Sequence, residues 1–370
     1  MDDITAPIVK VSSRIYAFSQ RIQGKEPSYL PKSLEIHLSN VCNNSCKFCF
    51  YRDDRLAGDR LSFLPTSRII SLLDSFKDES DKSLVLSGGG EPTLHPDFAE
   101  IINKAIDVGF DVGVITNGLH YSPKIEQALL KTKWVKFSLH AGNPKAYQEL
   151  MARNDGAEVF NRVQNHIISL TQAKTANTKV SVGCVITQQN QSDQDILDYF
   201  DNATNHLNVD YVLFRGYMGD DPHLKITRSA SDFLPVKQQI EIRAKEKGVF
   251  SNFSSFIRDY NISRHYTNGK CPIADCGIVA VITTDGNVHI CLPSAQQGNA
   301  PAIGSILNES FQNIWNGEKH RAVLNSLSMK GCPACKYERM FPLIKKIAHH
   351  DCDLLQEQIK AKKDPHWRFL

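Results

Sequence analysis

The chain has 370 residues, of which 41% are hydrophobic and 22% are charged, which predicts a globular protein with one large and one smaller domain. Its formal net charge of +3 is small for this length, so charge gives no sign of a nucleic-acid or membrane partner. The sequence has no apolar run long enough for a membrane span, and its N-terminus is acidic rather than signal-like. We therefore expect a cytoplasmic protein, in which ten cysteines favour metal binding over disulfides because the cytosol keeps thiols reduced.

The first two thirds of the chain alternate strand-like and helix-like segments. An N-terminal arm is predicted over residues 1–30, and the main domain over 31–225. Strands are predicted at 33–39, 82–86, 110–115, 134–139, 179–186 and 209–214, and helices at 97–108, 122–131, 143–173 (two helices) and 191–205. Six strands joined by right-handed crossovers predict a parallel α/β sheet, either an open (β/α)6 partial barrel or a flavodoxin-like flat sheet.

The last third of the chain has a different character. Residues 226–270 are predicted to be a connector with one helix near 231–247. Residues 271–340 are rich in cysteines and turns, and Asp285-Gly286 predicts a hairpin over 279–290. Residues 341–370 are predicted to form a closing helix, from about 342 to 362, and a basic tail.

Three cysteines come after the first predicted strand in a C-x3-C-x2-C pattern. Thiolates of Cys42, Cys46 and Cys49 can hold three corners of a cubane iron–sulfur cluster and leave the fourth iron open, whereas a structural cluster or zinc normally takes four ligands. A zinc knuckle is the alternative from the spacing alone. The loop lies at the carboxyl end of a strand, which is the end that carries active sites in barrel-type α/β folds.

With the aromatic Phe48 just before its third cysteine, this loop resembles the signature of the radical S-adenosylmethionine (SAM) superfamily. One βα unit later, Gly89, Gly90 and Glu91 resemble the superfamily's motif for the SAM amino group. By itself the glycine segment is typical of an ordinary turn, and it lacks the Lys-Ser/Thr ending of a phosphate loop. The two motifs together carry the resemblance.

Polar residues at the ends of later strands extend the likeness. Thr116, Asn117 and Ser138 resemble positions that contact the methionine or ribose of SAM, although such residues also cap helices. His140 stands where many relatives have an acidic residue. Arg215 ends the sixth strand and is expected either to clamp the carboxylate of SAM, to clamp the substrate, or to be a surface arginine.

A second set of cysteines lies in the C-terminal part of the chain. Cys276 and Cys291 enclose the predicted hairpin, and Cys332 and Cys335 come later as C-x2-C, whereas a zinc ribbon uses C-x2-C at both ends. This arrangement resembles the Twitch domain, the shorter form of the SPASM extension of radical SAM enzymes. The resemblance implies that these four cysteines hold one auxiliary [4Fe–4S] cluster. A second auxiliary cluster is not expected, because Cys352 is the only cysteine after this set.

Three cysteines remain outside these two sets. Cys184, Cys271 and Cys352 are interpreted first as small buried side chains, which is the common state of a spare cysteine. Cys271 stands five residues before Cys276 and is a candidate either for an alternative fourth ligand of the auxiliary cluster or for a hydrogen-atom donor.

The resemblance implies a partial (β/α)6 TIM-like barrel followed by a small cysteine-rich β-hairpin/α Twitch domain. It also implies a [4Fe–4S] cluster that binds SAM at its open iron, takes an electron from a reducing partner such as flavodoxin or ferredoxin, and cleaves SAM to methionine and a 5′-deoxyadenosyl radical. That radical abstracts hydrogen from an unactivated C–H bond. The protein then supplies orientation and excludes water, while the cofactor carries the chemistry.

The fate of the substrate after hydrogen abstraction is left open by the sequence. We expect a small polar metabolite, such as a sugar, an aminocyclitol or a nucleoside-like molecule, which is oxidised if the auxiliary cluster accepts an electron or epimerised if a cysteine returns a hydrogen atom. Modification of a ribosomal peptide is an alternative. The N-terminal arm argues against it, because the arm is expected to be too short for a leader-peptide-binding domain. A non-catalytic metal-binding or electron-transfer module is the alternative from another class.

Overall fold

The strands of the protein join into one mixed sheet. A computed structural model of the chain describes residues 30–51, 62–79, 82–260, 271–275, 277–298, 300–329 and 332. The strands in these ranges are β1 (Ser33–Ile36), β2 (Ser83–Leu86), β3 (Asp111–Thr116), β4 (Trp134–Phe137), β5 (Lys179–Ile186), β6 (Tyr211–Gly216), β7 (Phe250–Ser251), β8 (Val279–Ile282), β9 (Asn287–His289) and β10 (Gly304–Ser305). Their order across the sheet is β10-β9-β8-β1-β2-β3-β4-β5-β6-β7.

Helices fill the connections between these strands. The α-helices in the described ranges are α1 (Thr66–Asp74), α2 (Phe98–Asp107), α3 (Pro123–Leu130), α4 (Pro144–Met151), α5 (Gly156–Ala173), α6 (Asp193–Asp201), α7 (Leu234–Lys247), α8 (Phe253–Tyr260), α9 (Pro272–Asp275), α10 (Leu292–Gln297), α11 (Phe311–Asn316) and α12 (Glu318–Ser326). Side-chain caps define where two of these helices begin. Ser122 and Asn143 each accept a hydrogen bond from a backbone N–H of the following turn, and each precedes a proline at the first helical position.

The first six strands are parallel and follow one another in sequence order. Each pairs with the next, from β1 with β2 to β5 with β6. A flavodoxin-like sheet would reverse its strand order at a switch point. The sequential order excludes that alternative and agrees with the predicted open (β/α)6 partial barrel.

Side chains on the later strands of this sheet face two different environments. In β4 and β6, buried residues alternate with more accessible ones, and the buried set is apolar: Val135, Phe137, Val212 and Phe214. Successive side chains of a strand point to opposite faces, so one face packs under the helices and the other lines the open side of the barrel. We call the face that lines the open side of the barrel the open face.

The C-terminal hairpin is part of the same sheet. β8 and β9 are antiparallel and turn at Gly286, whose φ of +79° suits glycine, so the predicted hairpin is confirmed. β8 also pairs in parallel with β1, in the register Leu34 with Ala280 and Ile36 with Ile282. The predicted domain boundary near residue 271 therefore falls within a continuous sheet, and the cysteine-rich segment lies directly beside the strand that leads into the first cysteine loop.

The connector contains more structure than the sequence predicts. The predicted helix near 231–247 corresponds to α7, preceded by a 3-10 turn at Ser231–Phe233. The structure adds α8 and the short strand β7, which pairs with β6 and extends the sheet. Except for Leu30, which is buried, the predicted N-terminal arm and the closing helix lie outside the described residues. Within the described part of the chain, no helix is long and apolar enough to cross a membrane.

An aromatic contact joins the barrel helices to the C-terminal segment. Phe76, fully buried after α1, packs its ring 5.5 Å from that of Phe110 and 5.4 Å from that of Phe311 on α11. A large side chain shared by two parts of a core stabilises both of them.

We expect Phe76→Ala to lower the free energy of unfolding by about 3–5 kcal/mol, because it removes buried contacts and leaves a cavity. Denaturant unfolding of the two proteins measures the loss. Phe250→Ala is the control, since Phe250 is 49% exposed and its truncation should cost under about 1 kcal/mol. Equal losses in the two variants would contradict the shared core.

Candidate active site

The loop after β1 presents the three cysteines of the first motif. Cys42, Cys46 and Cys49 are each partly buried, and the Cys49 N–H donates to the Cys46 carbonyl at 3.2 Å. The far side of the loop rests on the end of α4: the Lys47 N–H donates to the Leu150 carbonyl at 3.0 Å, and Arg153 Nη1 donates to the Asn43 carbonyl at 2.8 Å. A helix end thus fixes the cysteine backbone from outside the sheet.

The glycine segment after β2 docks directly on the cysteine loop. The Gly90 N–H donates to the Ser39 carbonyl at 2.6 Å, and the Glu91 N–H donates to the Val41 carbonyl at 2.8 Å. A Cβ atom on Gly90 would lie 2.1 Å from the Val41 carbonyl oxygen, and backbone cannot move aside as a flexible side chain can. The two motifs singled out in the sequence therefore form one unit, and glycine is required where they touch.

Glu91 connects this unit to the end of β3. Glu91 is 3% exposed, and its carboxylate accepts four hydrogen bonds, from the N–H and hydroxyl of Thr93, the hydroxyl of Thr116 and the N–H of Asn117, at 2.6–3.1 Å. Burial raises the pKa of Glu91, and the four bonds oppose that rise because they favour the ionised form. The carboxylate is turned into the protein, so the predicted contact of this motif with the SAM amino group stays a prediction.

Asn117 continues the network back to the cysteine loop. Its Nδ2 donates to Asn43 Oδ1 at 2.8 Å and lies 3.7 Å from Cys42 Sγ. Ser138, half-buried after β4, donates its N–H to the Thr116 carbonyl at 2.8 Å. The structure thus brings together the predicted residues of the first four strand ends.

His140 sits beside Phe48 in an unusual conformation. Its φ is +62°, and its ring packs edge-on against Phe48 at 4.7 Å between centroids. Nδ1 accepts the Val185 N–H at 3.1 Å, which leaves the ring proton on Nε2. Burial lowers the pKa of His140 to about 3, and the cations of Lys136 and Arg215 add to the effect, so the imidazole is neutral.

The spare cysteine Cys184 belongs to the support of His140. It is buried, and it and Asn190 Nδ2 both donate to the His140 carbonyl at 3.2 Å. Burial raises the pKa of the Cys184 thiol, which keeps it protonated. It is the small buried side chain that the sequence predicts.

Tyr51 links the cysteine loop to the C-terminal segment. Its hydroxyl accepts a bond from Gln296 Nε2 at 2.8 Å, and its ring packs edge-on against the buried His37 at 5.5 Å. A Cβ atom on Gly88 would overlap the His37 ring at 2.1 Å. His37 and Tyr51 are not among the site residues predicted from the sequence. Their only signal there is position, at the strand end and just after the third cysteine.

The second cysteine set is described in part. Cys291, partly buried, precedes α10, and its carbonyl accepts the Ala295 N–H at 3.2 Å. Cys332 is partly buried, and burial raises the pKa of its thiol. Cys271, also partly buried, precedes α9. Cys276, Cys335 and Cys352 lie outside the described residues, so the auxiliary ligand set stays a prediction.

The donor chemistry of the first loop fits an iron–sulfur cluster. Thiolates are the ligands that such clusters use, and three of them come from one loop that the glycine unit holds in place. Among the described residues, no three His, Cys, Asp or Glu side chains lie close enough together to hold a single metal ion. A cubane cluster differs from a single ion in that each thiolate binds a different iron.

Comparison with known proteins agrees with this geometry. A family profile for the radical SAM superfamily matches residues 36–200, and one for SPASM, an iron–sulfur cluster-binding domain, matches residues 275–336. The chain therefore belongs to the radical SAM superfamily and is a radical SAM enzyme with a C-terminal SPASM/Twitch iron–sulfur domain. The two domains imply a SAM-binding [4Fe–4S] cluster, SAM itself and auxiliary iron–sulfur chemistry.

Three known proteins illustrate what this chain is similar to in sequence or in fold. An S-adenosylmethionine-dependent nucleotide dehydratase of Selenomonas ruminantium is 32% identical over 167 residues, 44% of this chain and 59% of that protein. Mycofactocin maturase MftC of Mycobacterium tuberculosis is 26% identical over 314 residues, 82% of this chain and 75% of the maturase. SuiB of Streptococcus suis, in a structure with the precursor peptide SuiA, is 17% identical with a TM-score of 0.59, covers 80% of this chain and 67% of its own, and shows the shared fold.

We expect Gly90→Ala to lose the iron of the first cluster, because the added methyl group displaces the backbone of the cysteine loop. Iron per chain after anaerobic reconstitution measures the effect. Gly248→Ala is the control: Gly248 has a φ of +64° but open space around it, so the variant is strained by about 1 kcal/mol and keeps its iron. A Gly90→Ala protein with wild-type iron content would contradict the docking of the two motifs.

We expect the stability of the protein to depend on His140 below its ordinary pKa of 6.5. The folded pKa is lower than the unfolded one, so below 6.5 the unfolded chain binds more protons and acid destabilises the fold. When the pH falls from about 7.5 to about 5.5, the free energy of unfolding of the wild type should decrease by about 1 kcal/mol more than that of His140→Asn. Asparagine is chosen because it tolerates a positive φ. Denaturant unfolding at both pH values measures this, with the exposed His206→Asn as control. Equal pH dependence in wild type and His140→Asn would contradict it.

Proposed function

We propose that this radical SAM enzyme modifies a peptide. The observation that carries the proposal is the extent of the likeness to the maturase MftC, which runs through 82% of the chain and so includes both the barrel and the cysteine-rich segment. The structure joins these two parts in one sheet through the pairing of β1 with β8. The fold shared with SuiB, whose structure contains a precursor peptide, is in line with the proposal.

A small-molecule substrate is the second candidate. The nucleotide dehydratase has the higher identity, 32%, but its likeness covers 44% of the chain. A match of 167 residues is too short to include both the whole predicted barrel domain and the cysteine-rich segment. The small polar metabolite expected from the sequence is for this reason placed second.

Each predicted site residue has a part in the proposal. Cys42, Cys46 and Cys49 hold the cluster that binds SAM, and when bound these groups supply a 5′-deoxyadenosyl radical for hydrogen abstraction. The residues proposed to orient SAM are Phe48, Gly89, Gly90, Glu91, Thr116, Asn117 and Ser138. Arg215, at the end of β6, is proposed to bind the substrate. The residues proposed for one auxiliary [4Fe–4S] cluster are Cys276, Cys291, Cys332 and Cys335.

The product depends on the group that the protein offers the substrate after hydrogen abstraction. Cys271 is partly buried just before α9 and is proposed as the thiol that returns a hydrogen atom, in which case the peptide is epimerised. If Cys271 does not act, loss of an electron to the auxiliary cluster gives an oxidised or cross-linked peptide. A reductant such as flavodoxin or ferredoxin is proposed to supply the first electron.

We expect a pool of ribosomal precursor peptides to raise the rate of 5′-deoxyadenosine formation by the reduced, reconstituted enzyme, because a bound substrate consumes the radical. Chromatography of 5′-deoxyadenosine and mass spectrometry of the peptides measure the two sides of the reaction. The Cys42/Cys46/Cys49→Ala protein is the control and should form none. Stimulation by a nucleotide pool and not by peptides would favour the second candidate.

A further inference from the structure

Two cationic side chains lie on the open face near the site. Lys136 is an accessible residue of β4 between the buried Val135 and Phe137, and Arg215 is the exposed residue of β6 after the buried Phe214. The alternation of buried and accessible residues directs both away from the helices. They therefore line the open side of the barrel at the carboxyl ends of their strands.

The strand between them leaves room for one of these side chains. β5 separates β4 from β6, and Gly183 of β5 has no side chain. A Cβ atom there would lie 3.3 Å from Lys136 Cδ and 3.7 Å from its Cγ and Cε. The stem of Lys136 thus lies over Gly183.

The second cation stands on the next strand. Arg215 is paired in register with Val185, two residues beyond Gly183. It donates no side-chain hydrogen bond and forms no ion pair to any residue that the structure describes. Its guanidinium group is available to a ligand on this face.

His140 shows that the two cations share one environment. Both Lys136 and Arg215 act electrostatically on its imidazole, whose Nδ1 is bound to the Val185 N–H of the same strand. Because the ring is neutral, the site carries two positive charges rather than three. None of the described open-face positions of β4, β5 and β6 is Asp or Glu, and the Lys136 ammonium group lies 5.8 Å from the centre of the Trp134 ring of the same strand.

We propose that Lys136 and Arg215 form a binding site for a carboxylate of the substrate peptide, either an Asp or Glu side chain or the C-terminus. This inference rests on the proposed function. The planar guanidinium matches a carboxylate with two parallel bonds, and the ammonium group adds a point charge. The site selects an acidic peptide segment and places it at the carboxyl ends of the strands, beside the cysteine loop.

The test measures the retention of short random peptides on immobilised, reconstituted enzyme loaded with SAM. The peptides of the first pool contain Asp and Glu and have free C-termini. In the second pool, Asn and Gln replace Asp and Glu. The third pool has the same replacements and also has amidated C-termini. We expect the third pool to be retained about tenfold less than the first, since one charge-assisted pair is lost. The second pool shows which kind of carboxylate binds.

Variants tie the preference to the two residues. Lys136→Met/Arg215→Met should retain all pools equally, the exposed Lys124→Met should behave as wild type, and the conservative Lys136→Arg/Arg215→Lys should keep the preference. Lys136→Glu/Arg215→Glu should instead favour pools rich in Lys and Arg. This reversal distinguishes loss of the site from loss of folding.

Three outcomes would overturn the inference. Equal retention of the three pools by wild type would overturn it alone and leave the peptide-modifying function standing. Retention of no pool would overturn the proposed function with it. Weaker binding of labelled SAM by Lys136→Met/Arg215→Met, with an unchanged peptide preference, would assign the cations to the carboxylate of SAM.

Discussion

The site depends on the contact between the cysteine loop and the glycine segment. Two backbone hydrogen bonds join them, and the position of Gly90 against Val41 permits no side chain. An open cubane site has only three protein ligands, so the geometry of the short loop that provides them must be set by its surroundings. The glycine segment on one side and the end of α4 on the other supply that constraint. The buried carboxylate of Glu91 then extends it to the end of β3.

The pairing of β8 with β1 has a comparable effect on the second half of the protein. A hairpin on a linker would be free to move relative to the barrel, whereas a strand bonded along its length to β1 is held in one register. The bond between Tyr51 and Gln296 lies at the loop end of the same boundary. The hairpin of β8 and β9 and the following helix α10 are therefore held beside the first cysteine loop.

Much of the fold could be predicted because hydrophobic periodicity and cysteine spacing are local properties of the sequence. The crossovers, the hairpin at Gly286 and the motif positions all follow from short stretches. The register of β8 against β1 could not be predicted, because it joins residues about 250 positions apart and leaves no local pattern. The same holds for Glu91: its motif suggested a ligand contact, but its four partners include groups on a strand end that only the fold brings near.

His140 shows how one departure from a family pattern can be accommodated. An acidic residue at its position would place a negative charge beside Lys136 and Arg215, and would offset part of their positive charge. A neutral imidazole, held by Val185 and by the bonds to its own carbonyl, leaves that positive charge on the open face. Relative to an acidic residue at this position, the neutral imidazole makes the charge of the open face more positive by one unit without adding a cation. The bonds that hold His140 come from Cys184, Val185 and Asn190, which are 44–50 residues away in the sequence, so the residue contributes to folding as well as to the charge of the open face.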